Sequence, residues 1–209
     1  MLQIATSQEL SFFQLVSKGG PIMVPIVLLL IIALYLFIER WIYISQNGKI
    51  NSKLVGSIKA GLNDGNVNSA LALCENERSA MGRIYGQGLK VISRPMSEMD
   101  RHMEDAASIE LSAMEAKLNI LGIIAGVAPM LGFIGTISGV IKIFYKISLE
   151  DNISIGIISG GLYEKMITSG AGLIVGVLAY TFLHLLQGKI DGFLLKMQRQ
   201  VLEFKNLLL

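Results

Sequence analysis

Asn119-Ile-Leu-Gly-Ile-Ile-Ala-Gly-Val-Ala-Pro-Met-Leu-Gly-Phe-Ile-Gly-Thr-Ile-Ser-Gly-Val-Ile141 is apolar over a length that can cross a bilayer, yet its small residues are not scattered. At ~100° per residue, Ala125, Pro129, Gly132, Thr136 and Gly139 fall within one arc of about 80°. Ile123, Met130, Phe133, Ile134, Ile137 and Ile141 point elsewhere. A second stretch, Met166–Gln187, repeats the pattern: Thr168, Ser169, Gly172, Gly176 and Ala179 share a face, and Leu173, Ile174, Val177, Leu178 and Leu185 lie off it. Small residues let helices approach closely, so one face of each stretch is expected to meet protein and the rest lipid. Neither interior contains Asp or Glu, and the only His, His184, is near the end of the second. If such a chain moves an ion, its hydroxyls line the path and a partner supplies the titratable group.

The whole composition agrees with a membrane protein. Of 209 residues, 52% are hydrophobic and 16% charged, with a mean hydropathy of +0.57, too apolar for an ordinary soluble domain. A third stretch, Pro21–Tyr43, is also long enough to span. It is too long for a cleaved signal peptide and ends in Glu39-Arg40 rather than a small-residue cleavage site. The expected fold is an all-α membrane protein: three transmembrane helices with long cytoplasmic helical extensions. Its segments are an amphipathic periplasmic stretch over 1–20, spans over 21–43, 118–141 and 156–188, a cytoplasmic helical region over 44–117, a short periplasmic turn over 142–155, and a cytoplasmic helix over 189–209. The orientation rests on basic residues. Only Lys18 precedes the first span, Arg40 at its inner end and nine further Lys and Arg lead to the second, Lys142 and Lys146 are balanced by Glu150 and Asp151, and the tail carries Lys189, Lys196, Arg199 and Lys205. This places the N-terminus and the short turn outside, and the large loop and tail inside. The net charge of +2 is distributed for topology and gives no reason to invoke nucleic acid.

Punctuation refines the segments. Residues 8–18 read as an amphipathic interfacial helix, ended by Gly19-Gly20-Pro21. Trp41 and Tyr43 suit the inner interface. Asn63 to Asn66 marks a turn, and Pro95 ends a helix. Ser97 reads as the next N-cap, with Asp100 in the capping-box position. Nothing then interrupts helical periodicity until Pro129, so one helix of about 45 residues, ~67 Å long, is expected to enter the second span. In the tail, Ile190, Leu194, Met197, Val201, Phe204 and Leu208 form a heptad seam.

The candidate polar residues each admit two readings. The Thr136 hydroxyl either bonds a carbonyl one turn back or joins Thr168 and Ser169 in holding water or passing a proton. Glu164 is either a helix-start carboxylate favoured by the dipole, paired with Lys165, or faces a vestibule on an ion path. Lys142 and Lys146 read as interface anchors. Cys74, the single cysteine, excludes an internal disulfide and reads as a packing residue. His102 and His184 are isolated, so no metal constellation or cofactor is expected. Ser169 and His184 lie about 22 Å apart along one helix, too far for a nucleophile–base pair. The Gly-rich Ser159-Gly-Gly lacks the following Lys of a phosphate loop. No enzyme is read here.

Two of these stretches resemble a known family. Ala128-Pro-Met-Leu-Gly-Phe-Ile-Gly-Thr-Ile-Ser-Gly-Val-Ile141 and Gly161-Leu-Tyr-Glu-Lys-Met-Ile-Thr-Ser-Gly-Ala-Gly-Leu173 look like the second- and third-span signatures of the MotA/TolQ/ExbB proton-channel proteins. Phe37-Ile-Glu-Arg40 and the span order agree, and three spans with one large loop resemble the ExbB and TolQ branches. The resemblance implies an inner-membrane homo-oligomer, a pentamer, around the helices of an ExbD- or TolR-like single-span partner whose membrane Asp carries the proton. Thr136 matches the family's span-two pore Thr, Glu164 its span-three Glu. Ser169 falls where the span-three Thr is usual, with Thr168 adjacent. Ala125, Pro129, Gly132, Gly139, Gly172, Gly176 and Ala179 would pack the pore or the partner. The implied function is a proton-driven motor that energises a TonB-like protein for outer-membrane uptake, or alternatively the Tol–Pal system. The rival from another class is a non-conducting helical scaffold, because small stripes serve both. A solute transporter fits poorly with three spans, no inverted repeat and no midplane charge.

Overall fold

The computed structural model describes residues 19–63, 65–149 and 155–208. Among these residues all regular structure is α-helical. The helices are α1 (Met23–Asn47), α2 (Ser52–Asn63), α3 (Val67–Asn76), α4 (Ala80–Leu89), α5 (Met96–Glu115), α6 (Leu118–Leu149) and α7 (Ile155–Leu208). The expected amphipathic helix over 8–18 lies outside the described residues. Three helical stretches are long and apolar enough to cross a membrane, carried by α1, α6 and α7. The described residues thus form an all-α membrane protein with three candidate spans.

The helix ends follow local chemistry. Pro25 stands in the first turn of α1, where a missing N–H costs nothing. The Asn66 side chain accepts from Ser69 N–H at 3.0 Å and caps α3, and the Ser79 hydroxyl accepts from Gly82 N–H at 3.3 Å and caps α4. Gly65 takes a left-handed φ of 70° in the turn before α3, a conformation that costs glycine little.

Two expectations about boundaries are corrected. The helix expected to start at Ser97 starts at Met96, with Pro95 as its N-cap and no side-chain cap. Asp100 forms no capping box; its carboxylate pairs with Lys205 of α7 at 2.9 Å. The unbroken helix of about 45 residues does not form either. It breaks at Ala116 and Lys117, where Ala116 is extended (ψ 139°) and Lys117 is left-handed (φ 67°). Pro129 lies inside continuous α6, as the span expected over 118–141 requires. Membrane helices tolerate such a proline where neighbouring helices accommodate the freed carbonyl.

Contacts divide the chain into two compact units. The first comprises residues 1–35 and 119–182, the second 36–118 and 183–209. In the first, the N-terminal part of α1 packs with α6 and the early part of α7. Met23, Ile26, Ala33, Leu121, Ile124, Ala128, Val175 and Ala179 are buried, whereas Val24, Ile31, Met130, Phe133, Phe144, Met166, Ile174 and Val177 stand more than 60% exposed. Apolar side chains of this size outside the core are the surface of a protein whose solvent is lipid or a neighbouring helix.

In the second unit, α2 to α5 surround a core of Ile58, Met81, Ile84, Tyr85, Leu89, Met103 and Met114, joined by Leu186, Ile190, Phe193, Met197 and Phe204 from α7. Of the expected tail seam, Ile190, Met197 and Phe204 are buried, and Leu194 and Val201 are half-buried. The Tyr85 and Phe204 rings lie 4.7 Å apart, within the range of favourable aromatic pairing.

Candidate functional site

The two small-residue faces meet each other within the chain. A Cβ built at Gly132 would lie 3.1 Å from the Ser169 backbone and 3.2 Å from the Thr168 carbonyl. One at Gly172 would come within 2.6 Å of the Ala128 carbonyl and 3.0 Å of Gly132. Gly176 sits under the Pro129 ring, and a Cβ there would approach the Ala125 carbonyl to 3.1 Å. That carbonyl is the acceptor one turn before Pro129, which has no N–H to give it. Further along, Gly135 faces the Thr168 methyl, Gly139 lies against the Lys165 stem, and Gly161 against Ile143. The register runs from 125 upward on α6 and from 176 downward on α7, an antiparallel pair in backbone contact. Ala125, Pro129, Gly132, Gly139, Gly172 and Gly176 therefore form an intrachain seam. Ala179, on the same face of α7, is fully buried.

This seam distributes the three candidate hydroxyls differently. Thr168 is fully buried and its hydroxyl donates to the Gly19 carbonyl at 2.6 Å, tying α7 to the chain entering α1. Ser169, one residue on, is half-buried, and no described residue bonds its hydroxyl. Thr136 is half-buried and donates to the Phe133 carbonyl at 2.6 Å, the local bond that hydroxyls make in apolar helices. An accepting lone pair on its oxygen remains. Lys165 is buried. The backbone of Glu164 is helical, but its side chain is outside the described set. Lys142 and Lys146 lie in α6, which stays helical to Leu149.

A charged cluster closes the other end of the first span. Arg40 is 6% exposed. Its guanidinium donates to the Ala113 carbonyl near the end of α5 at 3.1 Å and to Glu39 at 2.6 Å, and lies 4.9 Å from the Tyr43 ring centroid. Lys117 Nζ donates to both Glu39 carboxylate oxygens, at 2.9 and 3.1 Å. The α5–α6 break is thus fixed from α1. Its one signal in the sequence is a pair of charges, Glu39-Arg40, on the last turns of an apolar span. Nearby, Arg83 makes a two-pronged pair with Glu110 at 2.5 and 2.6 Å and donates to Asn47 at 2.9 Å; the Glu110 carboxylate raises the Arg83 pKa further. No cluster of three or more His, Cys, Asp or Glu poised for a metal occurs among the described residues.

Comparison with known proteins places this architecture. The profile of the MotA/TolQ/ExbB proton channel family matches residues 76–199, a stretch containing both faces of the seam. A biopolymer transport protein ExbB homolog of Methanothermobacter thermautotrophicus is 28% identical over 164 residues, covering 77% of this chain and 58% of that protein. An ExbB-like protein of Synechocystis is 26% identical over 78% of this chain and 79% of its own length. The biopolymer transport protein exbB1 of Vibrio cholerae is 31% identical over half of this chain and 47% of its own length. The chain thus matches little more than half the length of the archaeal relative and less than half of the Vibrio one. With 76–199 matched and three spans in place, the chain belongs to the MotA/TolQ/ExbB proton channel family.

Proposed function

We propose that this chain is an ExbB-like subunit of a proton-driven motor in a bacterial inner membrane, coupling proton flow to TonB-dependent transport across the outer membrane. The observation that carries the reading is the family match over a seam that offers hydroxyls and no acid in its interior. The proton carrier is then the membrane Asp of an ExbD- or TolR-like single-span partner, surrounded by a ring of identical subunits, a pentamer in this family. The N-terminus faces the periplasm; the large loop and the tail face the cytoplasm. Tol–Pal service is the alternative within the same mechanism.

In this reading the small residues set the spacing of α6 and α7, and Thr136 and Ser169 are the hydroxyls presented to the partner. Thr168 holds the subunit together. An ionised carboxylate near the bilayer centre costs ~2.5–3.5 kcal/mol or more. A hydroxyl hydrogen bond to a charged group contributes about 1.5–3 kcal/mol, against roughly 1 for a neutral bond. Thr136 therefore gains by releasing Phe133 and turning its proton toward a carboxylate, and returns when the carboxylate is protonated. Each proton that crosses delivers ~2.3 kcal/mol per 100 mV of membrane potential.

The test is Thr136→Val, which keeps the shape and removes the hydroxyl. It should leave assembly intact and abolish proton uptake in vesicles and motor-dependent growth, with expression matched. Thr136→Ser should retain much of both. A Thr136→Val protein that works as the wild type would reduce Thr136 to a packing residue and remove the reading.

A further inference from the structure

We infer that the end of α1 and the distal part of α7 form a binding site for the phosphate of an anionic phospholipid headgroup. A surface cavity of about 440 Å³ is lined by Gly48, Lys49, Ile50, Lys196, Arg199 and Gln200. Three of the six are cations and none is an acid. Lys196, Arg199 and Gln200 follow the i, i+3, i+4 pattern that puts side chains on one helix face. Lys49 comes from the connection after α1. The peptide N–H groups of Lys49 and Ile50 have no acceptor among the described residues. The nearest acid along α7, Glu203, is engaged by the Gln200 amide at 3.0 Å. Lys49, Lys196 and Arg199 are exposed and form no ion pair with a described residue.

Position argues for a lipid rather than a soluble anion. Lys189, one heptad before Lys196, lies 3.3 Å from the centroid of the Trp41 ring and donates to Ser45 at 2.7 Å. Trp rings settle at the membrane–water boundary, so this pair marks where α1 and α7 leave the hydrocarbon. Lys196 is about 10 Å further along the helix, just beyond a headgroup layer roughly 5–8 Å deep. Long basic side chains reach back toward such a layer. Basic clusters directly flanking a span attract anionic lipids. The cavity can admit one phosphate and the glycerol end of its headgroup.

The experiment uses the full-length protein, delipidated in neutral detergent with whatever partner co-purifies. It is titrated with phosphatidylglycerol or phosphatidylcholine and read by native mass spectrometry. Phosphatidylglycerol should bind at least about tenfold better than phosphatidylcholine. Lys196→Gln with Arg199→Gln should weaken it about 25-fold, from roughly fivefold per basic residue at a membrane surface. The charge-keeping exchange Lys196→Arg with Arg199→Lys should restore binding, and Lys90→Gln, an exposed lysine elsewhere in the same unit, should leave it unchanged. Lys49→Gln, on a different element, should weaken binding about fivefold and gives an independent reading if the double variant folds poorly. Equal binding of the two lipids, or wild-type affinity in the Gln variants, overturns the site. So does full displacement of phosphatidylglycerol by about 1 mM inorganic phosphate, which would make it a pocket for a soluble anion.

Discussion

Neighbouring residues with similar chemistry have different fates here. Thr168 and Ser169 both carry hydroxyls on the small face of α7, yet only Thr168 is buried against the Gly19 carbonyl. Sequence periodicity placed both on that face but could not separate them, because the partner is a backbone carbonyl 149 positions away. The packing role read for Cys74 agrees with its burial on α3, one turn after buried Ala70. Burial and the nearby Glu75 charge push its thiol up to about 11 from a usual value near 9. The fold therefore favours the neutral thiol. Its contribution to stability is complete below pH 9 and is lost as pH rises toward 11. Burial also raises the Tyr85 phenol above its ordinary value of 10, and its hydroxyl has no partner among the described residues. Thermal midpoints measured by circular dichroism should fall between pH 9 and 11. Cys74→Ala should remove the lower part of that slope, and Tyr85→Phe the part above pH 10. A slope unchanged by both would assign alkaline sensitivity elsewhere. At pH 7.5 the thiol should also resist maleimide, since thiolate is the reactive form.

At the scale of helices, glycines can be sorted by what stands opposite them. A side chain at Gly172 meets the backbone of α6, whereas Gly170, two residues away, faces open space. Gly172→Ala should destabilise the subunit by about 1–3 kcal/mol through overpacking, and Gly170→Ala should be neutral or slightly stabilising. Thermal unfolding of the two variants in detergent checks this; equal effects would mean that the seam opens freely. The small face itself was readable from Ala125 to Gly139 by angle alone, but what it faces was not. A stripe of glycines reports close approach without saying whether the approaching helix belongs to the same chain. The break at Ala116–Lys117 left no local trace, because Glu115, Ala116 and Lys117 are all good helix formers. Arg40 and Glu39 override that preference from α1. Pro129, by contrast, is carried within the helix, where Gly176 leaves room for its ring.

Over the whole molecule, three spans and a helical loop region were legible from apolar length and basic residues, while the division into two units was not. The orientation has a direct test. In a Cys74→Ser background, membrane-impermeant maleimide added from outside should label Ser148→Cys and leave Asn63→Cys untouched, and the reverse pattern would invert the topology. The second unit also has an unusual relation to the order of synthesis. Its core needs Phe204 against Tyr85, and its ion pairs need Lys205 at Asp100, yet both later spans separate these partners along the chain. As a ribosome delivers the protein, residues 36–118 emerge early and wait, incomplete, until the third span has inserted and residues 183–208 follow. Their final packing thus reports that insertion is finished. A chain stalled before its last helix has emerged lacks Phe204 against Tyr85 and Lys205 against Asp100, and leaves that core open.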